Sequence, residues 1–481
     1  MKYRYLDLRR QRMGRNMRLR SQMTSAARRY LDDAGFYEVE TPILSNPTPE
    51  GARDFLVPSR LNPGRFYALP QAPQQYKQLL MVAGLEKYYQ IARCFRDEDL
   101  RADRQPEFTQ IDLEASFIDQ EGIIRHVEGL LGAMFKAGMG LDIPAKFERM
   151  THTEAMDIYG SDKPDTRYDL KITDLGHIFE GTEFKIFRSI LEDGGKVRAI
   201  NAKGFAGITT GQMNRLNEIA VQAGLPVKNL AFIKYENGEY KSPLWKIFTE
   251  EEKQGVIEAM NLEDGDIVFF AAGSRESVST ILGRVRTECA HLMGINEGND
   301  ALNFLWIVDF PLLGFDEETD EWFAVHHPFT RPHPDDIEKL EAGDYANVRA
   351  MAYDVVLNGY ELGGGSLRIH EKALQARMFE ALGVGEEEQQ VKFGHILDAF
   401  RFGAPPHGGL ALGLDRIVML AAGEDSIREV IAFPKNNKGQ DLMAQSPCEI
   451  GFKELREIYV QSTWKDPKRA KVIESEATAD S

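Results

Sequence analysis

The chain has 481 residues, a length typical of two to four domains, and its 43% hydrophobic and 28% charged residues are ordinary for a soluble globular protein. No run approaches the ~20 apolar residues of a membrane helix, and no apolar stretch follows the basic N-terminal segment, so we expect a cytoplasmic protein with no membrane partner and no secretory signal. The net charge of −17 disfavours a polyanionic partner, but the first thirty residues are locally basic, which leaves a nucleic-acid partner open.

The predicted elements begin with a helix over residues 15–34, in which Met23, Ala27 and Leu31 recur at helical spacing, and a strand over 36–43. Residues 46–64 are rich in Pro, Gly and Asn and predict a loop. The later predictions are a helix over 74–84, strands over 87–96 and 106–117, alternating helices and short strands from about 120 to 290, a hairpin at Asn358-Gly359, a strand over 409–412, a helix over 414–422 and a flexible tail over 462–481.

The predicted strand over residues 107–115 has one polar and one apolar face. Strict alternation points Phe108, Gln110, Asp112 and Glu114 one way, and the apolar residues between them into a core. Phe108 and Asp112 are roughly 13 Å apart on such a strand, about the reach from a stacked base to a group joined through a phosphate. The face is therefore either exposed to solvent or the floor of a nucleotide site.

The segment 96–105 before this strand is unusually charged, since residues 96–104 hold four acids and three arginines. Arginines bind phosphates, acids accept from the adenine edge, and an aromatic ring stacks on the base. This composition favours an ATP site over an exposed charged hairpin, although spacing alone does not exclude the hairpin.

The dipeptide Asn358-Gly359 is a strong signal for a two-residue turn. Such a turn pairs Val356 with Glu361 and Asp354 with Gly363, which makes Asp354 and Glu361 diagonal neighbours on one face. Two adjacent carboxylates repel, and a bound Mg²⁺ would remove the conflict; the alternative is two exposed acids.

Three segments, in this order, resemble the motifs of the class II aminoacyl-tRNA synthetases. The helix over 15–34 with the following strand and Pro42 resembles motif 1, the dimer-forming element. Arg96-Asp97-Glu98 with the loop and Phe108 resembles motif 2, and residues 408–416 resemble motif 3. The resemblance implies an α+β fold, in which a mixed, mainly antiparallel sheet is flanked by helices.

Further segments resemble the aspartyl-tRNA synthetases of bacterial type. They are residues 71–77, the loop 48–54, and the segments 326–330 and 363–368. The resemblance implies L-aspartate, ATP and tRNA(Asp) as substrates, with tRNA(Asn) open, Mg²⁺ as cofactor, and a homodimer through motif 1. The family's usual Ser is Ala72 here, which removes a hydroxyl from the ammonium side of the amino-acid site.

The resemblance also assigns roles to individual residues. It implies that Lys77 and Arg368 clamp the side-chain carboxylate of aspartate, that Asp112, Gln74 and Glu50 hold its ammonium group, and that His326 closes the pocket. A pocket with two cations disfavours asparagine, whose neutral amide leaves buried charge unpaired at a cost of ~2–5 kcal/mol. The implied ATP-binding residues are Arg96, Asp97, Glu98, Gln105, Phe108, Glu361, Gly413, Leu414, Asp415 and Arg416, with Arg96 and Arg416 catalytic and Asp354 and Glu361 carrying Mg²⁺.

Arg368 conflicts with simple alternation, because a regular strand would place it and Glu361 on opposite faces. The glycine run 363–365 lies between them, and we predict a bulge there that shifts the phase.

The implied domains are a catalytic part over 1–164, a GAD-type α/β insertion over 165–292 and a second catalytic part over 293–461. The family's N-terminal OB-type barrel, which reads the anticodon, is expected to be missing. Two alternatives remain: a barrel-less paralogue that activates an amino acid for a non-tRNA acceptor, and a non-catalytic tRNA-binding regulator.

Overall fold

The computed structural model describes residues 2–47, 52–99 and 102–463. Six of its elements match the predicted helices and strands, and two further strands form the predicted hairpin, whereas the strand predicted over 36–43 is reduced to two residues, Tyr37–Glu38. The α-helices are α1 (Arg4–Asp7), α2 (Gln11–Asp33), α3 (Gln74–Val82), α4 (Gln120–Met139), α5 (His152–Tyr159), α6 (Lys185–Glu192), α7 (Thr210–Gln222), α8 (Glu250–Met260), α9 (Arg275–Leu292), α10 (Ile337–Ala342), α11 (Lys372–Ala381), α12 (Glu386–Phe400), α13 (Leu414–Ala422) and α14 (Phe452–Glu457).

The strands form two large sheets and two hairpin-sized ones. They are β1 (Tyr37–Glu38), β2 (Leu56–Pro58), β3 (Phe66–Ala68), β4 (Lys87–Phe95), β5 (Glu107–Ser116), β6 (Glu148–Thr151), β7 (Thr173–Asp174), β8 (Lys196–Ala202), β9 (Ala231–Glu236), β10 (Glu239–Lys241), β11 (Ile267–Gly273), β12 (Phe304–Val308), β13 (Leu313–Asp316), β14 (Glu321–Ala324), β15 (Ala352–Leu357), β16 (Tyr360–Leu367) and β17 (His407–Gly413).

The larger sheet has eight strands in the order β1-β4-β5-β17-β16-β15-β12-β6. Its six central strands pair antiparallel, and only the edge strands β1 and β6 pair parallel. Helices α2, α4 and α13 cover one face, where Ile111 and Leu113 of β5 are fully buried. The opposite face of β5, β16 and β17 carries polar residues and glycines, so this fold places the polar side chains of three adjacent strands on one floor. The mixed, mainly antiparallel sheet flanked by helices is confirmed.

The second sheet has five antiparallel strands in the order β10-β9-β11-β8-β7 and lies within residues 173–273. Alternate residues of β11 face two different cores. Phe269 packs with residues of α7 and α9, whereas Val268 and Phe270 pack with residues of α8. Burial on both faces explains why β11, with the sequence IVFFAAG, reads as a continuous apolar run instead of an alternating one.

The two sheets meet where the chain leaves α5. Gly160 crosses α9 so closely that a Cβ on it would lie 2.1 Å from the carbonyl oxygen of Ser279, and a Cβ on Gly283 would lie 2.0 Å from the carbonyl oxygen of Gly160. Buried Arg286 donates to the backbone carbonyls of residues 165, 168, 169 and 170 and so holds the segment that enters the second sheet. None of the described helices has the length and hydropathy to span a bilayer.

Candidate active site

A cavity of about 520 Å³ lies over the polar face of the larger sheet. Its walls come from β5, β16 and β17, from the motif 2 loop (residues 96–106), and from residues 325–327. We name two groups of residues after the ligands that the resemblance implies. The nucleotide end consists of Arg96, Phe108, Asp354, Glu361 and Arg416, which line the cavity. The amino-acid end consists of Lys77, Asp112, Glu114 and Arg368, which are buried and are not part of the cavity lining.

Two buried cations converge at the amino-acid end. Lys77 and Arg368 are 2% and 3% exposed, and both reach the carboxylate of Glu114. The Lys77 ammonium donates to Asp112 Oδ1 at 2.7 Å and lies 3.3 Å from Glu114 Oε2, while Arg368 donates to both oxygens of Glu114 at 2.9 and 3.1 Å. The two cations therefore meet, and a carboxylate of the protein lies at the point where they meet.

The charges of this end balance. Burial alone would raise the pKa of Glu114, but Arg368 and Lys77 outweigh it and lower the pKa to about 2. Burial raises the pKa of Asp112 in spite of its contact with Lys77, and the nearby Glu114 charge adds to the increase. Asp112 Oδ2 is buried with no hydrogen-bond partner among the described residues, so it remains an acceptor for a ligand.

The other residues predicted for aspartate fall into three groups. Gln74 lines the cavity and donates to Gln78 at 3.2 Å, and Ala72 lines it nearby. His326 also lines the cavity, with its ring edge-on to Phe310 at 4.7 Å, and burial followed by the charge of Arg368 lowers its pKa to about 4. Glu50 lies outside the described residues.

Three residues of the amino-acid end were not among the predicted site residues. Glu114 joins the two cations, while His327 and Ser366 each contact Nη1 of Arg368, at 2.5 and 2.7 Å. The alternation of β5 already placed Glu114 on the face of Asp112, so that signal was available. No local pattern distinguishes His327 from His326 or identifies Ser366, because their roles depend on where Arg368 lies.

At the nucleotide end, a guanidinium lies over an aromatic ring. The Arg96 guanidinium carbon is 5.1 Å from the centroid of Phe108, and Arg96 Nε is buried with no hydrogen-bond partner among the described residues. Glu98 lines the same wall and pairs with Arg104 at 3.0 Å. A flat ring next to unsatisfied guanidinium donors is suited to a base joined to a phosphate.

Arg416, at the start of α13, extends into the cavity from the motif 3 side. Its side chain donates to the backbone carbonyl of Glu361 and to Asp103 Oδ2 at 3.1 Å. Its Nε has no hydrogen-bond partner among the described residues. Gly413 precedes α13 and lines the cavity with the donors of Arg416 beside it.

Four residues predicted to contact ATP have their side chains engaged elsewhere. Leu414 is buried in the apolar core, and the amide of Gln105 exchanges two hydrogen bonds with the backbone of Lys435. Asp415 borders the cavity but accepts from the backbone N–H of Thr109 and from Arg20. The backbone of Asp97 pairs with Arg53, and its half-exposed carboxylate lies 4.0 Å from Arg53 Nε.

Asp354 and Glu361 both line the cavity, on paired strands. The predicted pairing of Val356 with Glu361 is confirmed, but Asp354 pairs with Gly364 instead of Gly363. The register shifts by one residue at Leu362, next to the predicted glycine run, because β16 has one more residue than β15 there.

Asp354 is 9% exposed, and its carboxylate packs directly against Gly364. Only glycine fits there, because a Cβ would lie 2.2 Å from Asp354 Oδ1. Burial and then the charge of Glu361 raise the pKa of Asp354 well above its usual range. Oδ1 has no hydrogen-bond partner among the described residues. Buried, mutually repelling oxygen ligands fit Mg²⁺, which commonly takes one or two carboxylates with substrate phosphates and water. The described residues contain no cluster of three or more potential metal ligands, so the remaining ligands would come from ATP and water.

Comparisons with known proteins agree with this geometry. The family model described as tRNA synthetases class II (D, K and N) matches residues 1–437. An aspartate–tRNA(Asp/Asn) ligase of Methylacidiphilum infernorum is 54% identical over 97% of this chain and 78% of its own length. Aspartate–tRNA ligases of Geobacillus kaustophilus and Macrococcus caseolyticus are 51% and 50% identical, each over 96% of this chain and over 78% and 77% of their own lengths. The chain belongs to the class II tRNA synthetase family that comprises the D, K and N enzymes.

Proposed function

We propose that this chain is an aspartate–tRNA ligase, which activates L-aspartate with ATP to aspartyl-adenylate and transfers the aspartyl group to the 3′ end of tRNA(Asp). The observation that carries the proposal is the convergence of buried Lys77 and Arg368 on one carboxylate, beside a floor suited to a nucleotide. The names of the similar proteins support the same substrate.

Lys77 and Arg368 have more N–H donors than the contacts within the amino-acid end use, so they can bind a second anion. A lysine ammonium has three N–H bonds and a guanidinium has five. Asp112 and Glu114 engage two of those on Lys77, and Glu114, Ser366 and His327 engage four of those on Arg368. One N–H of each cation therefore remains for the side-chain carboxylate of aspartate.

The net charge of the site explains how that carboxylate is tolerated. The two cations balance Asp112 and Glu114, so a bound side-chain carboxylate adds one negative charge. The ammonium group of the same substrate compensates for it at Asp112 Oδ2, which accepts no hydrogen bond from the residues that the structure describes. Asparagine brings the ammonium group without the second anion and leaves the two cation donors facing an amide, so we expect it to bind about 30-fold or more weakly.

Catalysis in this proposal is positioning and charge stabilisation, with no covalent intermediate on a side chain. The α-carboxylate of aspartate attacks the α-phosphate of ATP in line, and pyrophosphate leaves. Arg96 holds the α-phosphate, and Phe108 supports the adenine. Asp354 and Glu361 would hold Mg²⁺, which neutralises phosphate charge when bound. Arg416 binds the phosphates that leave.

The remaining features of the proposal concern the assembly and the domains. We place the catalytic parts at 1–164 and 293–461 and the insertion at 165–292, and we assign the protein to the cytoplasm. A homodimer would cover the exposed apolar side chains after α2, among them Tyr37, Ile43 and Leu44, which are 63%, 47% and 53% exposed.

The test is ATP–pyrophosphate exchange with aspartate and, in parallel, with asparagine, followed by charging of tRNA(Asp). Exchange that depends on aspartate, followed by charging, is the expected result. Exchange without charging would instead favour an amino-acid-activating paralogue, and no exchange with any amino acid would favour a non-catalytic tRNA-binding regulator.

A further inference from the structure

The motif 2 loop is docked onto the motif 3 side of the cavity by several contacts near its tip. The carbonyl oxygen of Ala102 accepts from the backbone N–H of Ile427 at 3.2 Å and from the Ser426 hydroxyl at 2.9 Å. Next to it, Asp103 accepts from Arg416 at 3.1 Å. The loop therefore reaches across the nucleotide end and places a negative charge in it.

This negative charge is bound by the cation that the proposed function assigns to the leaving phosphates. Arg416 is held by the Glu361 carbonyl and by Asp103, and both residues of the ion pair are only partly exposed, at 23% and 32% of their side chains. Asp103 itself lines the cavity. A triphosphate that binds Arg416 would lie beside the Asp103 carboxylate.

Two anions cannot share this site without cost. Like charges in direct proximity repel each other at the effective dielectric of a protein surface, although dissolved ions screen part of the repulsion. The contacts of Ala102 with Ser426 and Ile427 are neutral hydrogen bonds that can be exchanged for hydrogen bonds to water. Residues 102–103 can therefore move away from Arg416 when a phosphate ligand binds.

We propose that Asp103 is a positioning residue that acts as an internal competitor for Arg416: its carboxylate pairs with Arg416, and ATP or pyrophosphate must displace it to bind. This inference rests on the proposed function for the identity of the ligands. It predicts that Asp103 lowers the affinity for phosphate ligands and leaves the amino-acid end unaffected.

The experiment uses Asp103→Asn, which keeps the shape and removes the charge. We expect the KM for ATP and the KM for pyrophosphate, both measured by exchange, to fall about three- to ten-fold, while the KM for aspartate stays within two-fold. Asp103→Glu, which restores the carboxylate, should return both values towards those of the wild type. Calorimetric binding of ATP without any amino acid should show the same increase in affinity.

Asp99→Asn is the matched control, because Asp99 is exposed in the same loop and forms no ion pair with any residue that the structure describes. An unchanged or raised KM for ATP in Asp103→Asn would overturn the inference, and so would an equal decrease in Asp99→Asn. Since the calorimetric measurement needs no reaction, a wild-type protein that binds ATP but fails to catalyse exchange would refute the proposed function and still test the competition.

Discussion

The two ends of the cavity are built on opposite principles. At the amino-acid end, four buried charges neutralise one another at 2.7–3.3 Å. At the nucleotide end, Asp354 and Glu361 repel, and Nε of Arg96 and of Arg416 has no hydrogen-bond partner in the part of the chain that the structure describes. A network whose charges already neutralise one another is rigid and can distinguish between small ligands of different charge. Charged groups without partners need a highly charged ligand, together with its cation, to supply those partners. Substitutions at the two ends should therefore differ in their effect on stability.

The largest effect is expected from Arg368→Lys at the amino-acid end. Lysine cannot reproduce the two-point contact with Glu114, so the buried carboxylate loses its principal partner. We expect kcat/KM for aspartate in ATP–pyrophosphate exchange to fall about 10³-fold and the free energy of unfolding to drop by about 3 kcal/mol. Arg377→Lys on the surface is the control and should change neither. More than a tenth of the wild-type exchange rate in Arg368→Lys would show that the clamp is not essential.

Asp354→Asn should separate activity from stability at the nucleotide end. It removes one of two repelling carboxylates, so we expect the Tm without Mg²⁺ to stay equal or rise, in contrast to Arg368→Lys. Exchange should fall about 10²- to 10³-fold, with a higher Mg²⁺ concentration needed for half-maximal rate.

The control for Asp354→Asn is Asp300→Asn, at an exposed acid with no ion pair to any described residue. A lower Tm for Asp354→Asn than for this control would contradict the view that repulsion between Asp354 and Glu361 destabilises the fold in the absence of Mg²⁺.

The pH dependence of unfolding should reveal the neutralised network. The pKa of Glu114 in the fold is about 2, below the ~4.3 of an unfolded glutamate, so its ionised form stabilises the fold above pH ~4.3. This contribution, about 3 kcal/mol, should disappear as the pH falls from about 5 to 2. Denaturant unfolding of the wild type and of Glu114→Gln across this range should show the two curves converging, and parallel curves would refute the pairing.

The smallest of these effects concerns base stacking. Phe108→Leu keeps an apolar side chain but removes the flat ring, so we expect the KM for ATP to rise about ten-fold while the KM for aspartate is unchanged. Phe402→Leu, at a ring that is 90% exposed, is the control. A rise in the KM for aspartate as well would indicate a general distortion of β5.

Local patterns predicted much of the site. Apolar periodicity predicted helix α2, strands β4 and β5, and helix α13. The alternation in β5 alone predicted that Phe108, Asp112 and Glu114 share one face. The strand predicted over 36–43 was wrong beyond Tyr37–Glu38, because it lies at the edge of the sheet, where pairing with β4 ends after two residues. Edge pairing depends on the neighbouring strand and not on propensity.

The sequence by itself determined which faces are polar and where the turn of the β15–β16 hairpin lies, since side-chain periodicity and turn chemistry act over a few residues. Only the tertiary structure decided that Glu114 joins Lys77 to Arg368 and that the extra residue at Leu362 realigns Asp354. It also decided that Leu414 lies in the apolar core and that Asp415 accepts from the backbone of Thr109. The charge pairing of Glu114 with Arg368 joins residues that are 254 positions apart in the chain. No local pattern specifies such distant partners.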